Sequence, residues 1–196
     1  MNLLSTYERI GVTGFLEEEE AEKLAELATN RDVLEIGSFK GLSAFCMAIV
    51  AKSVYCVDTF KANTGGQVQQ DGFTTHGDFL AAVKRFRNVE CFVGTSEMAA
   101  KALPDDLTFG MVFLDASHTY EDVKADIQRW WPRLRPGGLM VFHDYGHWDF
   151  PGVKQAVDEI FGPQKDVIHT LIWLTKPWKP RRDDPTAEAL PFNDKD

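Results

Sequence analysis

The sequence predicts an α/β protein built on a doubly wound, largely parallel sheet. Short, almost wholly apolar segments recur along the chain: DVLEIG, SVYCVD, VECFVG, TFGMVFLD and GGLMVFHD. Runs without a polar face are those of strands covered on both sides. Between them lie segments whose apolar residues repeat at helical spacing. Strand–helix alternation of this kind closes right-handed crossovers into a parallel sheet with helices on both faces. At 196 residues and 44% apolar content, the chain is long enough to bury one core.

Each element follows from its own residues. GFLEEEEAEKLAELATN is the first helix, with Leu16, Leu24, Leu27 and Ala28 as its apolar stripe. Its glutamates crowd the first turns, where the macrodipole favours them, and read as a solvated helix start. DVLEIG is the first strand, GLSAFCMAIVAK a helix apolar nearly all round, and SVYCVD the second strand. The polar, Gly- and Gln-rich loop from residue 60 to 76 is long for a connection and reads as a lid, a binding loop or disorder, with His76 at its close. GDFLAAVKRF is a helix, VECFVG the third strand and SEMAAKAL a short helix; TFGMVFLD is the fourth strand. In YEDVKADIQRWWPRL, Val123, Ile127, Trp130, Trp131 and Leu134 fall at core spacing. GGLMVFHD is the fifth strand, and FPGVKQAVDEIFGP is a helix with Pro151 early and a Gly162–Pro163 stop. DVIHTLIWLT, carrying a structural His169, supplies one or two last strands. Residues 1–175 then form the domain, and the proline- and charge-rich 176–196 is a tail outside the core.

A formal charge of -9 repels a phosphate backbone, which argues against a nucleic-acid substrate. Cys46, Cys56 and Cys91 are odd in number and sit in apolar runs, as reduced thiols of a cytoplasmic protein do. No positive segment followed by an apolar one opens the chain, and no apolar run is long enough to span a bilayer. The expected location is the cytoplasm. Oligomeric state is not legible, and a homo-oligomer is one option.

Chemistry concentrates at strand ends. In VLEIGSFKG, Gly37 and Gly41 flank a turn from strand to helix, where the backbone can approach a ligand and free N–H groups are on offer. Asp58 ends the next strand, placed to accept ribose hydroxyls. Phe39 stands where a dinucleotide turn needs its second glycine. This disfavours an NAD-linked oxidoreductase and favours a nucleoside without pyrophosphate, S-adenosylmethionine. A non-catalytic protein that keeps such a pocket is the alternative from another class. In MVFLDASHTYEDV, Thr119 with Asp122 makes a capping box. Asp115 and His118 at the fourth strand's end, and His143 and Asp144 at the fifth's, can converge, since neighbouring strands lie about 4.8 Å apart. The blander readings are an Asp115 bonded to a helix amide, an Asp144 capping a turn and a His143 bonded to backbone. His147 and Trp148 either wall an acceptor pocket or pack their loop onto the core.

EIGSFKG, the VD of the second strand, LDASHTYEDV, LRPGG and HDY occur in one order and resemble a class I S-adenosylmethionine-dependent methyltransferase. More narrowly, they resemble the small O-methyltransferases grouped with macrocin O-methyltransferase and the cephalosporin-hydroxylase-like proteins, over roughly residues 30 to 175. The resemblance implies a Rossmann-like, seven-stranded sheet and transfer of a methyl group to a hydroxyl of a small molecule or glycan. It implies that Glu35, Gly37, Ser38 and Gly41 line the cofactor's methionine end, that Asp58 holds the ribose, that Thr95 and Ser96 border the adenine, and that Asp115 adjoins the cofactor. By likeness to catechol O-methyltransferase, Asp115 and Asp144 would bind magnesium and His118 would be the general base. His143 departs from that pattern, because magnesium prefers oxygen donors. A softer metal such as manganese held by Asp115, His143 and Asp144, a metal site with His143 standing outside it, and no metal are the three options.

Overall fold

A computed structural model describes residues 11–61, 63–64, 67–68 and 75–178. Helix α1 (Glu18–Ala28) precedes β1 (Asp32–Ile36), α2 (Leu42–Ala48) and β2 (Ser53–Asp58). A small antiparallel pair, β3 (Asn63–Thr64) and β4 (Gln67–Val68), follows; the rest of the 62–74 loop lies outside the described residues. Then come α3 (His76–Val83), β5 (Val89–Val93), α4 (Ser96–Ala102), β6 (Phe109–Leu114), α5 (Tyr120–Trp130), β7 (Leu134–Phe142), α6 (Pro151–Phe161), β8 (Val167–Ile168) and β9 (Leu171–Thr175). The seven-stranded sheet runs β5-β2-β1-β6-β7-β9-β8. The pairs from β5 to β7 are parallel, whereas β9 is antiparallel to both β7 and β8. The DVIHTLIWLT segment therefore supplies two strands, turning back at His169, whose φ of 50° is left-handed.

Alternation along each strand divides the buried residues into two cores. Val33, Met111, Phe113 and Val141 face α1, α2 and α3, meeting Leu24, Phe45 and Phe79. Leu34, Val112, Met140 and Phe142 face α4, α5 and α6, meeting Ala99, Ile127, Trp130 and Val157. A side-chain period of two assigns alternate residues of each central strand to opposite sides, so both of its faces are covered. Trp130 and Trp131 are buried in the second core, as their spacing predicts.

Two expectations need correction. Glu20, read as part of a solvated helix start, is 1% exposed. Its carboxylate accepts from the Glu17 and Thr170 amides and the Thr170 hydroxyl and meets His143, so its charge has partners that water would otherwise supply. Lys176, the first residue of the expected tail, is buried and donates to the carbonyls of Trp131 and Leu134, both at 2.7 Å, where α5 ends and β7 begins. Its backbone also extends the pairing with Gly137 and Gly138. Residues 179–196 lie outside the described residues.

Candidate active site

The sheet changes direction at β1. From there the chain winds outward to β2 and β5, then returns to β6 on the other side of β1. The crevice beyond the carboxyl ends of strands at such a switch point is where open α/β sheets take ligands. Gly37 leaves β1 with φ +91°, and a Cβ there would stand 2.1 Å from the Asp115 carbonyl oxygen. Only glycine permits so close an approach, so the turn after β1 lies directly against the loop after β6. Gly41, also at positive φ, starts α2.

Side chains below this turn hold its shape. Glu35 is wholly buried, accepting from the hydroxyls of Ser38 and Ser43, each at 2.5 Å. Burial pushes its carboxyl up to about 7, although both hydroxyls favour the charged form. Asp58 accepts from the Ser38 and Phe39 amides at 2.7 and 2.8 Å through one oxygen and from the Phe60 amide at 2.5 Å through the other. A carboxylate has about four acceptor positions, so Asp58 clamps the turn and keeps one position for a ligand hydroxyl. Thr95 caps α4, accepting from the Met98 amide. Ser96 is spent on an interior network, donating to Asp126 and accepting from the Trp130 indole, so only its backbone remains for an adenine.

The strand-end residues do converge. Thr119 caps α5 and Asp122 accepts from the Ser117 and Thr119 hydroxyls, which leaves Asp115 and His118 free of capping duty. Ligand atoms of Asp115, His118 and Asp144 all lie within 4.8 Å of one another. The His118 Nε2 is 2.9 Å from an Asp144 oxygen and 3.7 Å from an Asp115 oxygen. It is buried, yet aligned for a hydrogen bond to neither. His143, 6% exposed, sends Nε2 to Glu20 at 3.1 Å and turns Nδ1 toward Asp115 and Asp144 at 3.4 and 3.3 Å. The backbone of Asp144 is left-handed, φ 60°, a strain that persists only where surroundings enforce it.

Charge is dense here. Burial lowers the imidazole pKa of His118, but Asp115 and Asp144 outweigh it and raise the value to about 9. The same balance, with Glu20 added, takes His143 up to about 12. Burial opposes ionisation of Asp144, but both histidines outweigh it and hold that carboxyl well below the usual range. An imidazole that keeps its proton to about pH 9 is a poor base at neutral pH. A base role for His118 therefore requires something else to neutralise its two carboxylates.

On the outer side, Phe150 stacks on His118 at 4.1 Å between centroids and on His147 at 5.0 Å, and His147 stacks on Trp148 at 6.0 Å. Trp148 is 83% exposed, which overturns its reading as loop packing. It lines a cleft of about 420 Å³ with His147, Pro151, Lys154 and Gln155. Sequence reasoning missed Phe150 and Glu20. Phe150 carries no local signal beyond standing before a helix-starting proline, and nothing local marks Glu20 among its neighbouring glutamates.

Comparison with known proteins settles the family. A model described as a methyltransferase domain matches residues 34–145, from β1 to the loop after β7. The chain belongs to that family. The protein y4gI of Sinorhizobium fredii is 29% identical over 158 residues; the match takes in 73% of this chain but only 17% of that protein's length. Among solved structures, the O-methyltransferase NovP superposes with a TM-score of 0.62 at 18% identity, covering 84% of this chain and 82% of its own. TomG from Streptomyces achromogenes, an O-methyltransferase of tomaymycin synthesis in complex with SAM, gives 0.61 at 16%, covering 90% of each chain. The O-methyltransferase from Bacillus cereus in complex with SAH gives 0.58 at 14%, covering 81% and 76%. At these identities the methyltransferases share the fold.

Proposed function

We propose that this methyltransferase moves the sulfonium methyl of S-adenosylmethionine to a hydroxyl oxygen of a small molecule or glycan. One observation carries the reading: Gly37 and Asp115 touch, so the cofactor turn and the acid–imidazole cluster share one crevice. A donor bound along the turn and a hydroxyl held at the cluster would meet there. Family membership and the cofactor complexes of the structural relatives support it.

The turn from Gly37 to Gly41, braced by Glu35 and Ser38, positions the methionine end; Asp58 offers its remaining acceptor position to the ribose, and the Thr95–Ser96 backbone borders the adenine. The cofactor brings an activated methyl, so the protein's work is alignment and proton removal. Asp115, His118 and Asp144 orient the hydroxyl and take its proton, while Phe150, stacked on His118, covers the cluster on its outer side. A divalent cation would be held by Asp115 and Asp144, whose oxygens lie 3.4 and 3.3 Å from His143 Nδ1 and close to the buried His118 Nε2. When bound it would lower the hydroxyl's pKa.

Calorimetry with S-adenosylhomocysteine and with NAD tests the cofactor, and methyl transfer to a panel of phenols and glycosides tests the reaction. Binding of S-adenosylhomocysteine with turnover of a hydroxyl acceptor is expected. Binding of NAD alone, or cofactor binding without turnover of any acceptor, overturns the reading. Among the described residues no helix is long and apolar enough to cross a membrane.

A further inference from the structure

We propose that Trp148 and the facing side of α6 form a distal acceptor subsite that seats a neutral sugar ring, one ring removed from the ring whose hydroxyl is methylated. The inference rests on the methyltransferase reading above and narrows its acceptor to a glycoside or oligosaccharide of two or more rings.

The floor of the cleft beside Trp148 is one face of α6, where Pro151, Lys154, Gln155 and Asp158 recur at helical spacing. Its wall is the loop after β7, which carries His147 and Trp148. That loop is held by its own turns: the His147 amide donates to the Asp144 carbonyl at 3.2 Å, and the Phe150 amide donates to the His147 carbonyl at 3.0 Å. A Cβ on Gly152 would stand 2.5 Å from the His118 carbonyl oxygen, so α6 starts directly against the His118 backbone. Wall and floor are thus tied to Asp144 and His118, both members of the acid–imidazole cluster.

An aromatic ladder joins cluster and cleft. His118, Phe150, His147 and Trp148 stack in succession, with centroids 4.1, 5.0 and 6.0 Å apart and planes inclined by 27°, 28° and 24°. A hexose ring is about as wide as one such step, so a single ring does not reach from His118 to Trp148. An acceptor that uses both ends has at least two rings.

The chemistry of the cleft selects the second ring. Trp148 presents a bare indole, which takes either the C–H face of a sugar or the plane of an arene. The floor distinguishes them. Lys154 pairs with one oxygen of Asp158, and the other accepts from the Tyr145 hydroxyl at 2.6 Å. The floor is therefore polar, yet its charges cancel and recruit neither a phosphate nor a carboxylate. The exposed Gln155 adds an amide that both donates and accepts. An arene laid there would cover these polar atoms without bonding them, which costs free energy. The hydroxyls on the rim of a sugar replace the water they lose.

Full-length protein with S-adenosylmethionine, assayed against methyl hexopyranosides, the methyl disaccharides built from them and the two-ring arene phenylphenol, tests this. Disaccharides are expected to show a KM about 10-fold below that of their monosaccharides. Trp148→Ala should erase that advantage and Trp148→Phe should keep most of it, while both bind S-adenosylhomocysteine as wild type by calorimetry. Equal KM for mono- and disaccharides, a Trp148→Ala variant with wild-type KM for disaccharides, or a phenylphenol KM as low as the best disaccharide's overturns the proposal. Tryptophan fluorescence with S-adenosylhomocysteine present keeps the two readings apart. If no acceptor is methylated, the methyl-transfer reading falls, whereas quenching by a disaccharide that is lost in Trp148→Ala sustains the sugar site. Absence of that quenching overturns the sugar site as well.

Discussion

Gly37 and Glu35 show how much of the site rests on single residues. An alanine at 37 would meet the Asp115 carbonyl at 2.1 Å and hold a left-handed φ as well. Left-handed backbone alone costs a β-carbon about 1–2 kcal/mol. Gly37→Ala should therefore lose at least about 2 kcal/mol in chemical denaturation, together with binding of S-adenosylhomocysteine by calorimetry. Glu35 makes a prediction in pH. Burial raises its folded pKa to about 7 from 4.5, so its contribution to stability is full below about pH 4.5 and is lost as pH rises through about 7. The amount at stake is on the order of 3 kcal/mol. Glu35→Gln should melt higher than wild type at pH 8 and flatten the stability profile between those pH values; an unchanged profile would show that the carboxyl is not protonated in the fold. The glycines of this turn and the acids at its strand ends were legible in the sequence, because a strand, a tight turn and a helix are local events. That Asp58 spends most of its acceptor capacity on three amides was not, since it depends on how the turn folds over the β2 end.

At the level of elements, α1 is more than a cover for the sheet. Through Glu20 it clamps the β8–β9 turn at Thr170 and the end of β7 at His143. Burial raises the Glu20 pKa, but the bonds from His143 and Thr170 win and hold it to about 2. By linkage the carboxylate stabilises the fold above about pH 4.5, and that contribution is lost as pH falls toward 2. Removing one partner of a buried ion pair costs about 3–5 kcal/mol. Glu20→Ala should lose that much at pH 7 by urea denaturation and show a flatter acid limb than wild type. The amphipathic period of α1 was readable from its leucines and alanines. The sequence distance from Glu20 to His143 hid their contact, because helical periodicity says which face is buried and not what lies opposite.

For the whole molecule, the switch point at β1 is the organising fact. It brings the turn after β1, the end of β2 and the loops after β6 and β7 together at one edge of the sheet. A ligand that binds only the folded state stabilises it by mass action, about 2.7 kcal/mol at a concentration 100 times its Kd. S-adenosylhomocysteine at that concentration should therefore raise the melting temperature by roughly 5–10 °C in a chain of this size. No rise at saturation, with calorimetry also silent, would remove the cofactor from the account.

Order of strands and helices, the apolar strands, the glycine turn and the acids that follow each strand were all written in the linear chain, because they arise from residues within a few positions of one another. The pairing of Glu20 with His143, the burial of Lys176 against Trp131 and the meeting of His118 with Asp144 came from folding. Each joins segments far apart in sequence, and their distances follow from how two layers of helices settle onto one twisted sheet.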